Sequence, residues 1–124
     1  MRPLWPLVVV AGCASPLEVT HERPMQPPAV YANWYAEAED CLGTKGNLGR
    51  IKWFVASELL VGGVPKAGVL RFPDRITMSD SQVTRGRSVK HEMVHHITQQ
   101  GDGLHDSLGR VACETAPQPA GLLT

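Results

Sequence analysis

Several features that define large classes of protein are missing from this sequence of 124 residues. Neither charge is in excess, with 12 Lys and Arg against 12 Asp and Glu, which excludes the basic surface of a nucleic-acid-binding protein. No apolar stretch approaches the roughly 20 residues that a membrane-spanning helix requires. Internal repeats are absent, and the length supports a single core. The sequence therefore predicts one small domain without a nucleic-acid partner.

The first residues resemble the signal of a bacterial lipoprotein. Arg2 supplies a positive charge, residues 4–10 are mostly apolar, and Val10-Ala11-Gly12-Cys13 is similar to a lipobox. The resemblance implies that residues 1–12 are removed and that Cys13 is lipidated. The protein would then be exported and anchored to a membrane, in the periplasm or at the cell surface. A short apolar N-terminus, or a start codon further upstream, is the alternative.

The remaining chain divides into a tether and a domain. Residues 13–28 contain four prolines among polar residues and show no apolar period, which predicts a flexible or polyproline-like tether. The domain is expected over residues 29–124 and contains Cys41 and Cys113. Since an oxidising compartment permits the bond and a small core benefits from it, these two cysteines are predicted to form a disulfide. In the cytosol they would be two buried thiols.

Hydrophobic periodicity predicts an α+β fold. Apolar residues at helical spacing indicate a helix over residues 30–42 and a second one that begins near Gln82, or later given Gly86, and runs to about Gln100. Alternating residues indicate a strand over residues 51–55, and two further strands are expected over 69–72 and 75–78. The expected domain has an N-terminal helix, a short and mostly antiparallel sheet, and a second helix after it.

The second helix carries the motif that indicates chemistry, His91-Glu92-Met93-Val94-His95. On a helix, His91 and His95 lie one turn apart on one face, where both imidazoles can bind one metal ion. Glu92 lies beside that ion, placed to take a proton from water rather than to bind the metal. His96 projects about 100° away from His95 and is expected at the surface or behind the metal ligands. A surface helix that happens to carry two histidines is the alternative.

This motif resembles that of the zincin metalloproteases, which implies Zn²⁺ and a peptide or protein substrate. Catalytic zinc has three protein ligands, so a third donor is required. Glu114 follows at a spacing similar to that of thermolysin-like zincins. His105 follows a glycine turn, as in small exported bacterial proteins that this region also resembles, and is the preferred ligand. The family also implies an edge strand beside the active helix, expected at residues 76–78, that pairs with an extended substrate.

The sequence therefore predicts a small zincin-like domain that is a zinc-dependent hydrolase, specifically a metallopeptidase. Zinc is expected on His91, His95 and His105, with Glu92 as the general base. The alternative is a non-catalytic lipoprotein that acts as a binding module, in which the metal only stabilises the fold. Four protein ligands would indicate that alternative, because a catalytic site keeps one position open.

Overall fold

The computed structural model describes residues 16–101 and 113–114 of the chain. Within these residues, two helices and seven short strands form an α+β fold, which confirms the predicted class. The strands are β1 Leu17–Thr20, β2 Arg23–Pro24, β3 Lys52–Ala56, β4 Glu58–Val61, β5 Val64–Pro65, β6 Gly68–Arg71 and β7 Arg75–Ser79. The helices are α1 Val30–Leu42 and α2 Gly86–Thr98, and single 3₁₀ turns cover Leu48–Arg50 and Asp80–Gln82.

The strands form two sheets rather than the one that was expected. One has the order β1-β4-β5 and is antiparallel, and the other has the order β2-β3-β7-β6. In the second sheet β3 and β7 are parallel, while the remaining pairs are antiparallel. The predicted mostly antiparallel character is therefore correct.

The edge strand next to the second helix is β6, and the prediction of residues 76–78 for that position is wrong. Those residues belong to β7, which lies between β3 and β6. Ile76, Thr77 and Met78 are completely buried, as expected for a strand that is covered on both faces. The residue patterns of β6 and β7 indicate that each is a strand, but they do not show which of the two lies at the edge of the sheet.

Helix α1 packs on the core through Tyr31, Tyr35 and Ala38, which are at most 2% exposed. Their spacing places them on one face of the helix. The helix ends at Gly43, whose left-handed backbone (φ 69°) lets its N–H donate to the carbonyl of Glu39. The predicted bounds of this helix, residues 30–42, are confirmed.

Helix α2 is almost entirely buried on the side that faces α1 and β6. Val89, Met93 and Val94 have no exposed surface, and burying each stabilises the fold by roughly 1.5–3 kcal/mol. Lys90 is also buried, at 4% exposed, with its Nζ 2.6 Å from Oε1 of Glu37 on α1. Neither helix in the part of the chain that the structure describes is long and apolar enough to cross a bilayer.

The N-terminal segment differs most from the prediction. Residues 17–24 were expected within a flexible tether, but they form β1 and β2, which pair with β4 and β3. Glu22, between these strands, contacts Arg71, Arg75 and Thr77, with its Oε1 accepting from Arg75 at 2.9 Å. Because these partners are about 50 positions away in sequence, no local pattern could have indicated that the segment is ordered.

The Glu22 cluster also has an electrostatic consequence. Burial by itself would raise the pKa of Glu22, but hydrogen bonds from Thr77 and Arg75 and the charge of Arg71 outweigh it. The pKa of Glu22 is therefore lowered from its ordinary value of 4.5. The carboxylate stays ionised under mildly acidic conditions and keeps the N-terminal segment attached to the second sheet.

The predicted disulfide between Cys41 and Cys113 is confirmed, with the two Cα atoms 5.6 Å apart. It joins the end of α1 to a residue 72 positions later in the chain. A loop of this length stabilises the fold by about 4 kcal/mol on the chain-entropy estimate. Cys113 is 5% exposed and packs in the core next to both helices.

Candidate metal centre

Helix α2 brings the imidazoles of His91 and His95 together, one turn apart. Their Nε2 atoms are 3.2 Å apart, and the two ring planes are nearly perpendicular at 82°. Two nitrogens bound to one tetrahedral zinc ion at about 2.05 Å each would be about 3.3 Å apart. The separation in the structure therefore matches that of two ligands of one ion.

The proton of the His95 ring can be assigned from its other nitrogen. Nδ1 of His95 lies 2.6 Å from the backbone carbonyl oxygen of Gln100. A carbonyl only accepts hydrogen bonds, so Nδ1 carries the proton and Nε2 presents its lone pair. The carbonyl reaches the ring because α2 ends at Gln99, whose left-handed backbone (φ 53°) turns the chain back.

The ring of His91 has an equivalent partner. Its Nδ1 lies 2.9 Å from Oε1 of Glu114, which is 6% exposed. An ionised carboxylate also only accepts, so this contact favours a proton on Nδ1 and a lone pair on Nε2. Two Nε2 lone pairs then point at each other across 3.2 Å, an arrangement that a cation between them makes favourable.

Glu92 lies next to this pair, and β6 limits its position. The carboxylate is 5% exposed overall, and its Oε2 lies 3.8 Å from Nε2 of His91. Gly68 of β6 faces it so closely that a Cβ there would lie 2.7 Å from Sδ of Met78 and 3.2 Å from Cγ of Glu92. Any larger residue at Gly68 would require Met78 or Glu92 to shift, so β6 and the Met78 side chain of β7 pack closely against Glu92.

The site opens into a cleft of about 610 Å³. Helix α2 forms one wall, and the other comes from β6 and the end of β4. The lining residues outside the motif include Val61, Lys66, Val69, Phe72, Arg87 and Glu114. Phe72 is 51% exposed at the end of β6, which gives the wall an apolar surface that a ligand can contact.

His96 does not lie at the surface, one of the two places where the sequence suggested it. It is 4% exposed, and its Nε2 lies 2.8 Å from Oδ1 of Asp74 in the turn between β6 and β7. Its Nδ1 lies 2.9 Å from the hydroxyl of Tyr35. Burial, together with the charge of Glu39, raises the pKa of that tyrosine to about 12, so the hydroxyl stays neutral. No sequence pattern indicated this Tyr35–His96–Asp74 chain, since its members come from three separate elements.

Within residues 16–101 and 113–114, no group of three His, Cys, Asp or Glu side chains is placed to hold a metal ion. The structure brings together two nitrogen donors, on His91 and His95. The preferred third ligand, His105, lies outside the described residues, as does the predicted lipidation site Cys13. The other candidate, Glu114, is described and contacts His91 through Nδ1.

No family model matches the chain, and no curated protein or solved structure matches it. The site is therefore interpreted from its own geometry and from the motif.

Proposed function

We propose that this protein is a zinc-dependent hydrolase of the zincin type, acting as a metallopeptidase. In this proposal His91 and His95 bind zinc and Glu92 is the general base. The observation that supports it most is the convergence of two Nε2 atoms at 3.2 Å while each Nδ1 faces an oxygen acceptor. The lone pairs of both rings are thereby aimed at one point, next to a buried carboxylate and an open cleft.

The proposed third ligand is His105. It comes ten residues after His95 in the sequence, past Gly101 and Gly103, and would complete a three-histidine set. Oε1 of Glu114 contacts Nδ1 of His91, the ring nitrogen that points away from the centre defined by the two Nε2 atoms. A third imidazole is therefore the better candidate for the ligand set.

The residues of the chain divide the chemistry among them. When bound, zinc would supply Lewis acidity that polarises a carbonyl and makes water easier to deprotonate. Glu92 accepts a proton from water, the water oxygen bonds to the peptide carbon, and the C–N bond breaks as the amine takes up the proton. Glu92 is 5% exposed and lines the cleft, so its carboxylate can meet a water molecule held there while little bulk solvent reaches it.

The edge strand β6 is the proposed surface for the substrate. It is the last strand of its sheet, and Gly68, Val69 and Leu70 line the cleft opposite α2. An extended peptide can add to such an edge through backbone hydrogen bonds, which places one of its peptide bonds near Glu92. We further propose that the protein is exported and anchored to the cell envelope through a lipid on Cys13.

The proposal is tested by zinc analysis of the full chain, purified in detergent, together with hydrolysis of an unfolded protein such as casein. Glu92→Gln should keep one equivalent of zinc and lose at least ~10²-fold in turnover, because only the general base is removed. Glu58→Gln, at an exposed position in β4, is the matched control and should change neither quantity. Turnover of Glu92→Gln at the level of the control would contradict the catalytic role. Full zinc occupancy without turnover by the unaltered protein would favour the binding-module alternative.

A further inference from the structure

We infer that Glu114 is a positioning residue that orients the ring of His91, and that the Cys41–Cys113 disulfide holds Glu114 at that ring. The inference rests on the proposed metal site, because its purpose is to aim Nε2 of His91 at the metal. It assigns Glu114 a role different from the third ligand for which its spacing made it a candidate.

The two histidines of the motif obtain their acceptors in different ways. His95 lies in the last turn of α2, so the chain that follows the helix returns a backbone carbonyl, from Gln100, to its Nδ1 at 2.6 Å. His91 lies one turn earlier, in the middle of the helix, where nearby carbonyls are used by the helix itself. Its acceptor must therefore come from another part of the chain, and Glu114 supplies it at 2.9 Å.

The direction of the contact decides between orienting and ligating. The two ring nitrogens of an imidazole point in nearly opposite directions, and Nε2 of His91 faces Nε2 of His95. Oε1 of Glu114 lies at Nδ1, so it fixes the tautomer and the rotation of the ring.

The disulfide explains how Glu114 is kept there. Glu114 follows Cys113 directly, and Cys113 is bonded to Cys41 near the end of α1. Helix α1 packs against α2, so the covalent link connects the carboxylate to the same pair of helices that carries His91. The side chain of His91 is 28% exposed, whereas His95 is a buried residue. Packing therefore restricts the His91 ring less, and the contact with Glu114 adds a further restraint on its rotation.

The experiment measures the tautomer of His91 in the metal-free protein, using ¹⁵N-labelled histidine and long-range ¹H–¹⁵N correlation at a pH where the rings are neutral. The unaltered protein should show the proton on Nδ1 of both His91 and His95. In Glu114→Ala the signal of His91 should move toward the Nε2–H form that a free imidazole prefers, while His95 serves as an unchanged internal reference. Glu114→Gln should restore the Nδ1–H form, because the amide oxygen also accepts a hydrogen bond.

Zinc titration of the same variants separates the two roles of Glu114. If Glu114 is a positioning residue, Glu114→Ala should still bind one equivalent of zinc at saturation, with its zinc affinity reduced 10–100-fold. Glu114→Gln should recover most of that affinity. Cys41→Ser, which frees the link while leaving Glu114 in place, should shift the His91 tautomer in the same direction by a smaller amount. Glu58→Ala is the control for loss of an exposed carboxylate.

The two proposals fail in distinguishable ways. An unchanged His91 tautomer in folded Glu114→Ala, or loss of the zinc equivalent in both Glu114 variants, would overturn the positioning role. A tautomer that shifts as expected in a protein that binds no zinc would support the contact and contradict the proposed function. The tautomer is measured without metal or substrate, so it does not depend on hydrolysis.

Discussion

The two faces of α2 place a histidine side chain in different surroundings. His95 and His96 are neighbours in sequence and almost equally buried, at 3% and 4% exposed. On the cleft face, His95 has one nitrogen at a carbonyl and the other facing a second imidazole. On the core face, His96 has one nitrogen at the Asp74 carboxylate and the other at the Tyr35 hydroxyl.

The comparison shows that burial alone does not distinguish His95, a proposed metal ligand, from His96, which lies among core residues. The group that faces the second ring nitrogen does distinguish the two histidines. A hydroxyl and a carboxylate satisfy both nitrogens of His96, which cross-links α1, α2 and the turn before β7. On the cleft face, Nε2 of His95 faces Nε2 of His91 at 3.2 Å instead. With a proton on each Nδ1, the two Nε2 lone pairs are directed at a common point.

The largest expected effect is on zinc affinity, when His95 and His96 are substituted one at a time. His95→Gln should weaken zinc binding by more than ~10²-fold, since even the loss of an outer partner of a ligand costs 10–100-fold. His96→Gln should leave the zinc stoichiometry and affinity unchanged. Isothermal titration with zinc measures both, and equal losses in the two variants would show that the two faces are not distinct.

A smaller effect is expected from breaking the core-face chain, measured as the free energy of unfolding in urea. The side chain introduced by His96→Gln cannot both accept a hydrogen bond from Tyr35 and contact Asp74 as the imidazole does. The substitution should therefore lower the free energy of unfolding by about 2 kcal/mol. Asp74→Asn should cost a similar amount, and the double variant should cost less than the sum because the residues share one contact. Additive losses would argue that the Asp74–His96 contact contributes nothing to stability.

The smallest effect concerns the Glu22 cluster, which lies on the second sheet away from the cleft. The pKa of Glu22 is lower in the folded protein than its ordinary value of 4.5. The stability that Glu22 adds to the fold is therefore present above pH 4.5 and is lost as the pH falls through the folded pKa. Glu22→Gln should lower stability by about 1 kcal/mol at pH 7, and the difference from the unaltered protein should shrink below pH 4.5. Urea unfolding at pH 7, 5 and 3.5 measures it.

The matched control for this prediction is Glu18→Gln, at an exposed position in the neighbouring strand β1. It should show no change of stability with pH beyond that of the unaltered protein. Zinc affinity should be the same in Glu22→Gln and the control. A Glu22→Gln difference that persists unchanged to pH 3.5 would mean that the lowered pKa does not contribute to stability.

Elements with a strong local signal were predicted well. The bounds of α1 were correct, and the predicted strands correspond to β3, β6 and β7 within a residue or two. The hairpin of β4 and β5, which turns at Gly62-Gly63, was not predicted, because two adjacent glycines end a strand pattern as readily as they form a tight turn. Helix α2 begins at Gly86, four residues later than the earliest start considered, after a separate 3₁₀ turn.

The sequence by itself determined the α+β class and the placement of His91 and His95 on one face of a helix, since periodicity and local spacing decide both. It also predicted the pairing of Cys41 with Cys113, because these are the two cysteines of the expected domain. Three features were decided only by the tertiary structure. These are the strand that borders the cleft, the contacts of Glu22 that order the N-terminal segment, and the atoms that face each ring nitrogen. The physical reason is the same in each case. Glu114 at His91, Asp74 at His96 and Arg71 at Glu22 are contacts between distant parts of the chain, and their energies depend on burial and direction that exist only after the helices and sheets have packed.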